Sequence, residues 1–159
     1  MEEAFVALIN QHRGLIYKVC HLYGADRDYQ EDLFQEIVMQ IWRAYPSFRN
    51  EALITTWMYR IALNTAISYL RKEKRMPISQ RISMRELQLP EMEQADDMEV
   101  LQQAIQQLTQ VEKGIIMLYL DEKSYQEISD ILGISLSNVG VKISRIKSKL
   151  EKIVKALDL

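Results

Sequence analysis

Apolar residues recur along the first part of this chain at the three- and four-residue spacing of amphipathic helices. One series runs through 5–19 and a second through 33–42. Asp28 lies where the positive N-terminal end of the second helix favours an acid, and Pro46 is placed to end that helix. We therefore predict helices in this region, the second of them over residues 28–45.

A third helix, predicted over residues 57–74, has two sides of different chemistry. One side carries Met58, Ala62, Thr65 and Tyr69. The other side, within an arc of about 80°, carries Trp57, Arg60, Asn64, Ile67, Arg71 and Arg75. The first set is typical of a core, and the second of a surface that contacts a planar, negatively charged ligand.

Helical periodicity is lost after this helix. The following segment contains Pro77 and Pro90, and it carries six acids and no base between Glu86 and Glu99. This composition predicts a flexible acidic linker over 77–99. We find no strand pattern, so the predicted fold is all-α, with two small helical domains at 1–76 and 100–159.

The second domain contains clear signals for helix ends. Thr109–Glu112 and Ser124–Glu127 both match the capping box, in which a hydroxyl and a glutamate satisfy backbone donors at a helix start. Helices are therefore predicted to begin at about 110 and 125. Gly133 is placed to end the second of these, and Ser135 to cap a longer helix that runs toward Leu157.

A short helix, a glycine-containing turn and a second helix over 125–150 predict a helix-turn-helix. The apolar stripe of the last helix, formed by Val139, Ile143, Ile146, Leu150 and Ile153, is predicted to be core. Its other faces carry residues suited to base edges and phosphates: Ser135, Ser137, Asn138, Val141, Lys142, Ser144, Arg145 and Lys149. Gly140 within this helix either permits a close backbone approach or is simply tolerated.

Composition narrows the possible functions. The net charge is −2, but residues 60–85 carry a net +6 and residues 142–155 a net +5, which favours two basic surfaces. The single Cys20 is predicted to be buried, and with only two histidines we predict no metal site and no cofactor. Without a signal peptide or a membrane-length apolar run, we expect a cytoplasmic protein with no membrane insertion.

Taken together, both halves resemble the sigma-70 family of bacterial transcription initiation factors, specifically its extracytoplasmic-function (ECF) group. The segment DLFQEIVMQIWRAYPSFRNEALITTWMYRIALNTAISYLRKEKR resembles the domain that binds core RNA polymerase and melts the −10 element. The segment LTQVEKGIIMLYLDEKSYQEISDILGISLSNVGVKISRIKSKL resembles the −35 domain. The resemblance is specific because both domains occur in the family's order with an irregular linker between them.

The resemblance implies roles for individual residues. Phe48 and Asn64 would contact the flipped −10 base, with a specificity loop at Arg49, Asn50 and Glu51, while Trp57, Arg60 and Arg71 would line the strand path. The alternative is that Phe48 is a core residue and Trp57 a packing anchor. Docking on the coiled coil of the polymerase's largest subunit would use Asp32, Gln35, Glu36 and Gln40, with Trp42 packed beneath. The family also implies an anti-sigma protein as partner. Here Ser68 stands where relatives often carry an acid, and Gly140 where a basic residue is common.

We therefore predict an ECF sigma factor: a promoter-specificity subunit, and not an enzyme. The alternative is a conventional helix-turn-helix regulator with an N-terminal dimerisation or sensor domain. That alternative leaves the polar side of the third helix unexplained, and duplex binding without polymerase would support it. An enzyme is not favoured, since no nucleophile with a base, carboxylate pair or glycine-rich phosphate loop occurs.

Overall fold

The structure of the chain is a computed structural model, and it describes residues 2–24, 26–74 and 96–157. The chain divides into two compact units, Met1–Gln88 and Leu89–Leu159. Every regular element of the described residues is helical, which confirms the predicted all-α fold. Most of the predicted linker 77–99, together with Arg75, lies outside the described residues.

The described residues of the first unit form four α-helices and one 3-10 turn. These elements are α1 (Glu2–Gln11), α2 (Arg13–Tyr23), α3 (Arg27–Ala44), the 3-10 turn Tyr45–Ser47 and α4 (Ile54–Lys74). The apolar run at 5–19 is therefore two helices, separated at His12. Helices α2, α3 and α4 pack on one another pairwise, and their fully buried side chains include Ile16, Leu33, Ile37, Ile41, Met58 and Leu63.

The connection between α2 and α3 is short and closely packed. Asp28 lies in the first turn of α3, as predicted. The N-cap is Asp26, whose carboxylate accepts a 2.8 Å hydrogen bond from the backbone N–H of Tyr29. A β-carbon on Gly24 would lie 2.5 Å from Cγ of Gln30 and 2.7 Å from the carbonyl oxygen of Cys20. Only glycine therefore fits this junction, which sets where α3 begins beside α2.

Cys20 lies fully buried in α2, as predicted. Burial raises the pKa of its thiol to about 12 because the charged thiolate loses its hydration. The thiol therefore stays protonated at physiological pH and serves as a small core side chain.

The second unit is organised around its last helix. Its helices are α5 (Asp96–Gln106), α6 (Gln110–Leu120), α7 (Tyr125–Leu132) and α8 (Leu136–Leu157), and the first three all pack on α8. Helix α5 was not predicted from the sequence, and it begins inside the segment 77–99 assigned as linker. Both predicted capping boxes are present, and Gly133 ends α7 in the left-handed conformation with φ 70°.

Gly140 lies in the second turn of α8, where glycine costs about 1 kcal/mol relative to alanine. A β-carbon there would lie 3.7 Å from Cε2 of Tyr125, an ordinary van der Waals contact. We therefore expect Gly140→Ala to raise the free energy of unfolding of the second unit by about 1 kcal/mol, measured by denaturant unfolding. A fall in stability would contradict this.

Candidate nucleic-acid interface

The loop before α4 is held by an aromatic pair. The rings of Phe48 and Trp57 lie 4.7 Å apart between centroids at an interplanar angle of 39°, and both side chains are half-buried. Between them Arg49, Asn50 and Glu51 are exposed, and Asn50 adopts a left-handed φ of 58°. The ring pair stabilises this loop against the first turn of α4, and such pairs are worth about 0.5–1.5 kcal/mol.

Helix α4 presents the two sides that its sequence pattern predicted. Met58 and Ala62 are buried, whereas Arg60 and Asn64 are exposed. Trp57 and Ile67 are half-buried, as are Thr65 and Tyr69, which were predicted to be core. Arg71 belongs to α4, but its side chain lies outside the described part of the chain.

A polar cleft of about 270 Å³ lies between α3 and α4. It is lined by Glu36, Gln40, Asn64, Thr65, Ser68, Tyr69 and Lys72. Thr65 and Tyr69 are only half-buried because they line this cleft. Asn64 therefore lies beside Glu36 and Gln40 of α3, and Phe48 does not line the cleft. This cleft therefore contains Asn64 but not Phe48, the other residue predicted for the flipped base.

Helix α3 presents the residues predicted for polymerase docking along one side. Asp32 and Gln35 are exposed, while Glu36 and Gln40 are half-buried and joined by a 3.0 Å hydrogen bond from Nε2 of Gln40 to Oε1 of Glu36. That bond holds both side chains in one orientation at the rim of the cleft.

Apolar side chains extend this side of α3. Trp42 packs edge-on against Phe5 with ring centroids 4.8 Å apart, yet it is 40% exposed and is not a buried anchor. Met39, which the sequence analysis did not include, is 47% exposed. Its spacing of three and four residues from Glu36 and Gln35 was the signal that placed it on this side.

In the second unit, the start of α8 is the exposed part of the helix-turn-helix. Oγ of Ser135 accepts a 3.2 Å hydrogen bond from the backbone N–H of Asn138, so Ser135 caps this helix as predicted. Behind it the predicted core residues Val139, Ile143 and Ile146 are buried, while Leu150 and Ile153 are half-buried. Seven residues of the predicted −35 set are exposed: Ser135, Ser137, Asn138, Val141, Lys142, Ser144 and Arg145.

The eighth residue of that set, Lys149, contacts α6 instead of pointing freely to solvent. Its Nζ lies 2.9 Å from Oε1 of Glu112, and the same carboxylate oxygen accepts a 2.9 Å hydrogen bond from the backbone N–H of Thr109. Burial alone would raise the pKa of Glu112, but the hydrogen bonds from Lys149 and Thr109 outweigh it and hold the pKa below its ordinary value of 4.5.

The lowered pKa of Glu112 predicts an acid-labile second unit. A carboxylate whose pKa is depressed by folding contributes stability above its unfolded pKa, and the contribution is lost as pH falls through the folded value. Carboxylates titrate between about pH 5 and pH 3. Over this range, the denaturant midpoint should fall more steeply with decreasing pH for the native chain than for Glu112→Gln. Equal pH slopes in the two proteins would contradict this. Exposed Gln102→Glu, which adds an unpaired carboxylate, should not steepen the native slope.

Among the described residues, no group of three or more histidine, cysteine or acidic side chains is arranged to hold a metal ion. None of the described helices combines the length and apolar character that a membrane span needs.

Models of two protein domains match this chain. Residues 8–76 match sigma-70 region 2, and residues 98–150 match sigma-70 region 4. Among curated proteins, the ECF RNA polymerase sigma-E factor of Haemophilus influenzae is 26% identical over 98% of this chain and 90% of its own length. The factor of the same name from Escherichia coli K12 is 27% identical over 98% of this chain and 89% of its own length.

Solved structures share the fold. The sigma factor RpoE of Bartonella quintana, in complex with the anti-sigma factor NepR, superposes with a TM-score of 0.73 at 19% identity, covering 96% of this chain and 98% of that one. CnrH, in complex with the cytosolic domain of CnrY, gives a TM-score of 0.69 at 20% identity, covering 98% of this chain and 90% of that one.

Proposed function

Because this chain belongs to the extracytoplasmic-function group of the sigma-70 family, we propose that it is the promoter-specificity subunit of bacterial RNA polymerase. In this role it binds core polymerase through the first unit, binds the −35 element through α8, and holds the melted −10 strand. It acts in the cytoplasm, where transcription takes place, and has no catalytic chemistry of its own.

The observation that carries this proposal is the outer side of α4. Arg60 and Asn64 are exposed on a helix whose opposite side is buried, and Trp57 supports the loop beside them. Holding an unstacked strand requires hydrogen bonds to a base edge, a flat surface and cations. A duplex-binding regulator has no use for such a surface on its other domain.

The proposed contacts with the −10 strand come from two neighbouring parts of the first unit, the loop before α4 and the α3–α4 cleft. Phe48 and Trp57 hold the loop at Arg49, Asn50 and Glu51, which reads the base, and Asn64 supplies an amide from the cleft. Arg60 and Arg71 contact the strand backbone. In α8, Ser137, Asn138 and Val141 lie near the N-terminal end of a recognition helix, the part that reaches base edges.

Docking on core polymerase is proposed for the side of α3 with Asp32, Gln35, Glu36 and Gln40, and Met39 adds an apolar contact at its centre. An anti-sigma factor is the proposed regulator, since the similar sigma factor of Bartonella quintana was solved in complex with an anti-sigma factor.

Measuring the affinity for core polymerase tests the proposed docking surface on α3. Truncating Asp32 and Gln35 together to alanine should weaken the affinity for core polymerase at least about tenfold, because exposed interface contacts of this kind are worth 1 kcal/mol or more each when central. The matched control is Glu31→Ala, which removes an exposed acid of the same helix that pairs with Arg27 at 3.5 Å. Equal affinities in both variants would reject this docking surface.

A further inference from the structure

The basic C-terminal helix is joined to α6 by two lysine contacts. Nζ of Lys149 lies 2.9 Å from Oε1 of Glu112, near the start of α6. Nζ of Lys147 donates a 2.6 Å hydrogen bond to the hydroxyl of Tyr119, near the end of α6, and lies 4.3 Å from the ring centroid. The two partners are seven residues apart, about 10 Å along α6.

The two lysines lie on opposite sides of the buried stripe of α8. At 100° per residue they are about 160° apart around the helix axis, and Val139, Ile143 and Ile146 lie in the arc between them. A rotation of α8 about its axis in either direction would therefore draw one of the two ammonium groups away from α6. The buried stripe alone resists rotation less, because apolar contacts are not directional.

We propose that Lys147 and Lys149 set the rotation of α8 on α6, and that Lys149 is a positioning residue and not a phosphate contact. This rests on the proposed function, because the rotation matters only if α8 reads DNA. The phosphate contacts then fall to Lys142 and Arg145, which are exposed and have no ion-pair partner among the residues that the structure describes.

The two roles give different results in one binding experiment. A lost phosphate contact weakens binding to all sequences about equally and lowers the slope of log affinity against log salt by about 1. A rotated recognition helix misplaces the base-reading side chains of Asn138 and Val141. It should therefore lower the ratio of specific to nonspecific affinity and leave the salt slope unchanged.

The experiment uses holoenzyme assembled from core polymerase and the full chain. It measures affinity across a salt series for a duplex that the native holoenzyme selects from a randomised −35 library, and for a scrambled duplex. Lys142→Met should lower the slope by about 1 and keep the specificity ratio. Lys149→Met should leave the salt slope unchanged. It should lower the ratio of specific to nonspecific affinity about three- to tenfold, similar to the effect of about one mismatched base pair in the site.

Further variants separate a positioning role of Lys149 from general damage to the fold. Glu112→Gln should reproduce the effect of Lys149→Met, and combining both should add nothing further. Lys149→Arg should retain the ratio, because the charged pair is retained. Tyr119→Phe removes the hydroxyl but keeps the ring. It should therefore lower the ratio of specific to nonspecific affinity less than Lys149→Met does. Lys155→Met, which removes a cation far along α8 that pairs with Glu151, is the control for charge loss.

A salt slope that falls by about 1 in Lys149→Met with an unchanged ratio would overturn the proposal. If the native holoenzyme does not discriminate between the duplexes, the proposed −35 function fails. The contact between Lys149 and Glu112 is then tested by measuring the unfolding equilibrium of the full chain. The effect of combining Lys149→Met and Glu112→Gln on the unfolding equilibrium constant should differ about two- to fivefold from the product of the two single effects. The absence of such coupling would overturn the proposed contact.

Discussion

Replacing Asn64 by alanine should lower promoter opening about ten- to hundredfold, because a buried base edge left without its hydrogen-bond partner costs about 1–3 kcal/mol. The amide of Asn64 offers both donors and an acceptor, and the side chain is exposed at the α3–α4 cleft. The loss should appear in permanganate reactivity of unstacked thymines, while affinity for core polymerase and for the −35 duplex stays within about twofold.

The matched control is Asn10→Ala, which truncates an exposed asparagine of α1 in the same unit. This variant should open promoters as the native chain does. If Asn64→Ala opens promoters normally, the flipped base does not contact this residue, and the pocket is to be sought at the Phe48–Trp57 loop instead.

Ile143→Ala should unfold much of the second unit. The side chain is 1% exposed in the stripe of α8 that α5, α6 and α7 pack against. Truncating a fully buried isoleucine costs about 2–5 kcal/mol, and small domains rarely have more than a few kcal/mol to lose. Amide hydrogen exchange should show protection lost in residues 99–157 and retained in α2, α3 and α4.

The control for this variant is Leu120→Ala, at a position 56% exposed at the end of α6. Its cost should stay below about 0.5 kcal/mol. Equal losses of protection in both variants would show that α8 is not the centre of the second unit. Loss of protection in both units at once would show that they do not unfold separately.

The sequence predicted the elements whose signals are local. Capping boxes at Thr109 and Ser124, a glycine after α7 and a hydroxyl before α8 each depend on residues within a few positions of one another. For this reason these helix ends are confirmed. The apolar side of α4 was predicted from periodicity alone, and Met58 and Ala62 are indeed buried.

Features that depend on packing between distant residues were not predictable. Helix α5 is not one of these features, because Leu101, Ala104 and Ile105 already recur at helical spacing. Its acidic first residues were assigned to the linker instead. Lys149 shares a helix side with Lys142 and was assigned to DNA. Its partner Glu112 is 37 positions away in the sequence, so periodicity could not show that contact.

For the candidate site, the exposure of individual residues could be predicted from the sequence, whereas the geometry could not. Arg60 and Asn64 are exposed and Phe48 holds the loop, but the cleft that joins Asn64 to Glu36 and Gln40 combines two helices. A hydrophobic pattern predicts which side of each helix is exposed. It does not predict which exposed sides lie next to each other.

The central claim is that the chain directs core polymerase to open promoters. The most direct test is transcription by bacterial core polymerase, with and without this protein, on the duplex selected by the holoenzyme, combined with permanganate probing near the start site. We predict transcripts and reactive thymines only when the chain is present, and loss of both with Asn64→Ala. Tight, specific duplex binding by the chain alone, with no polymerase binding and no opening, would contradict the account.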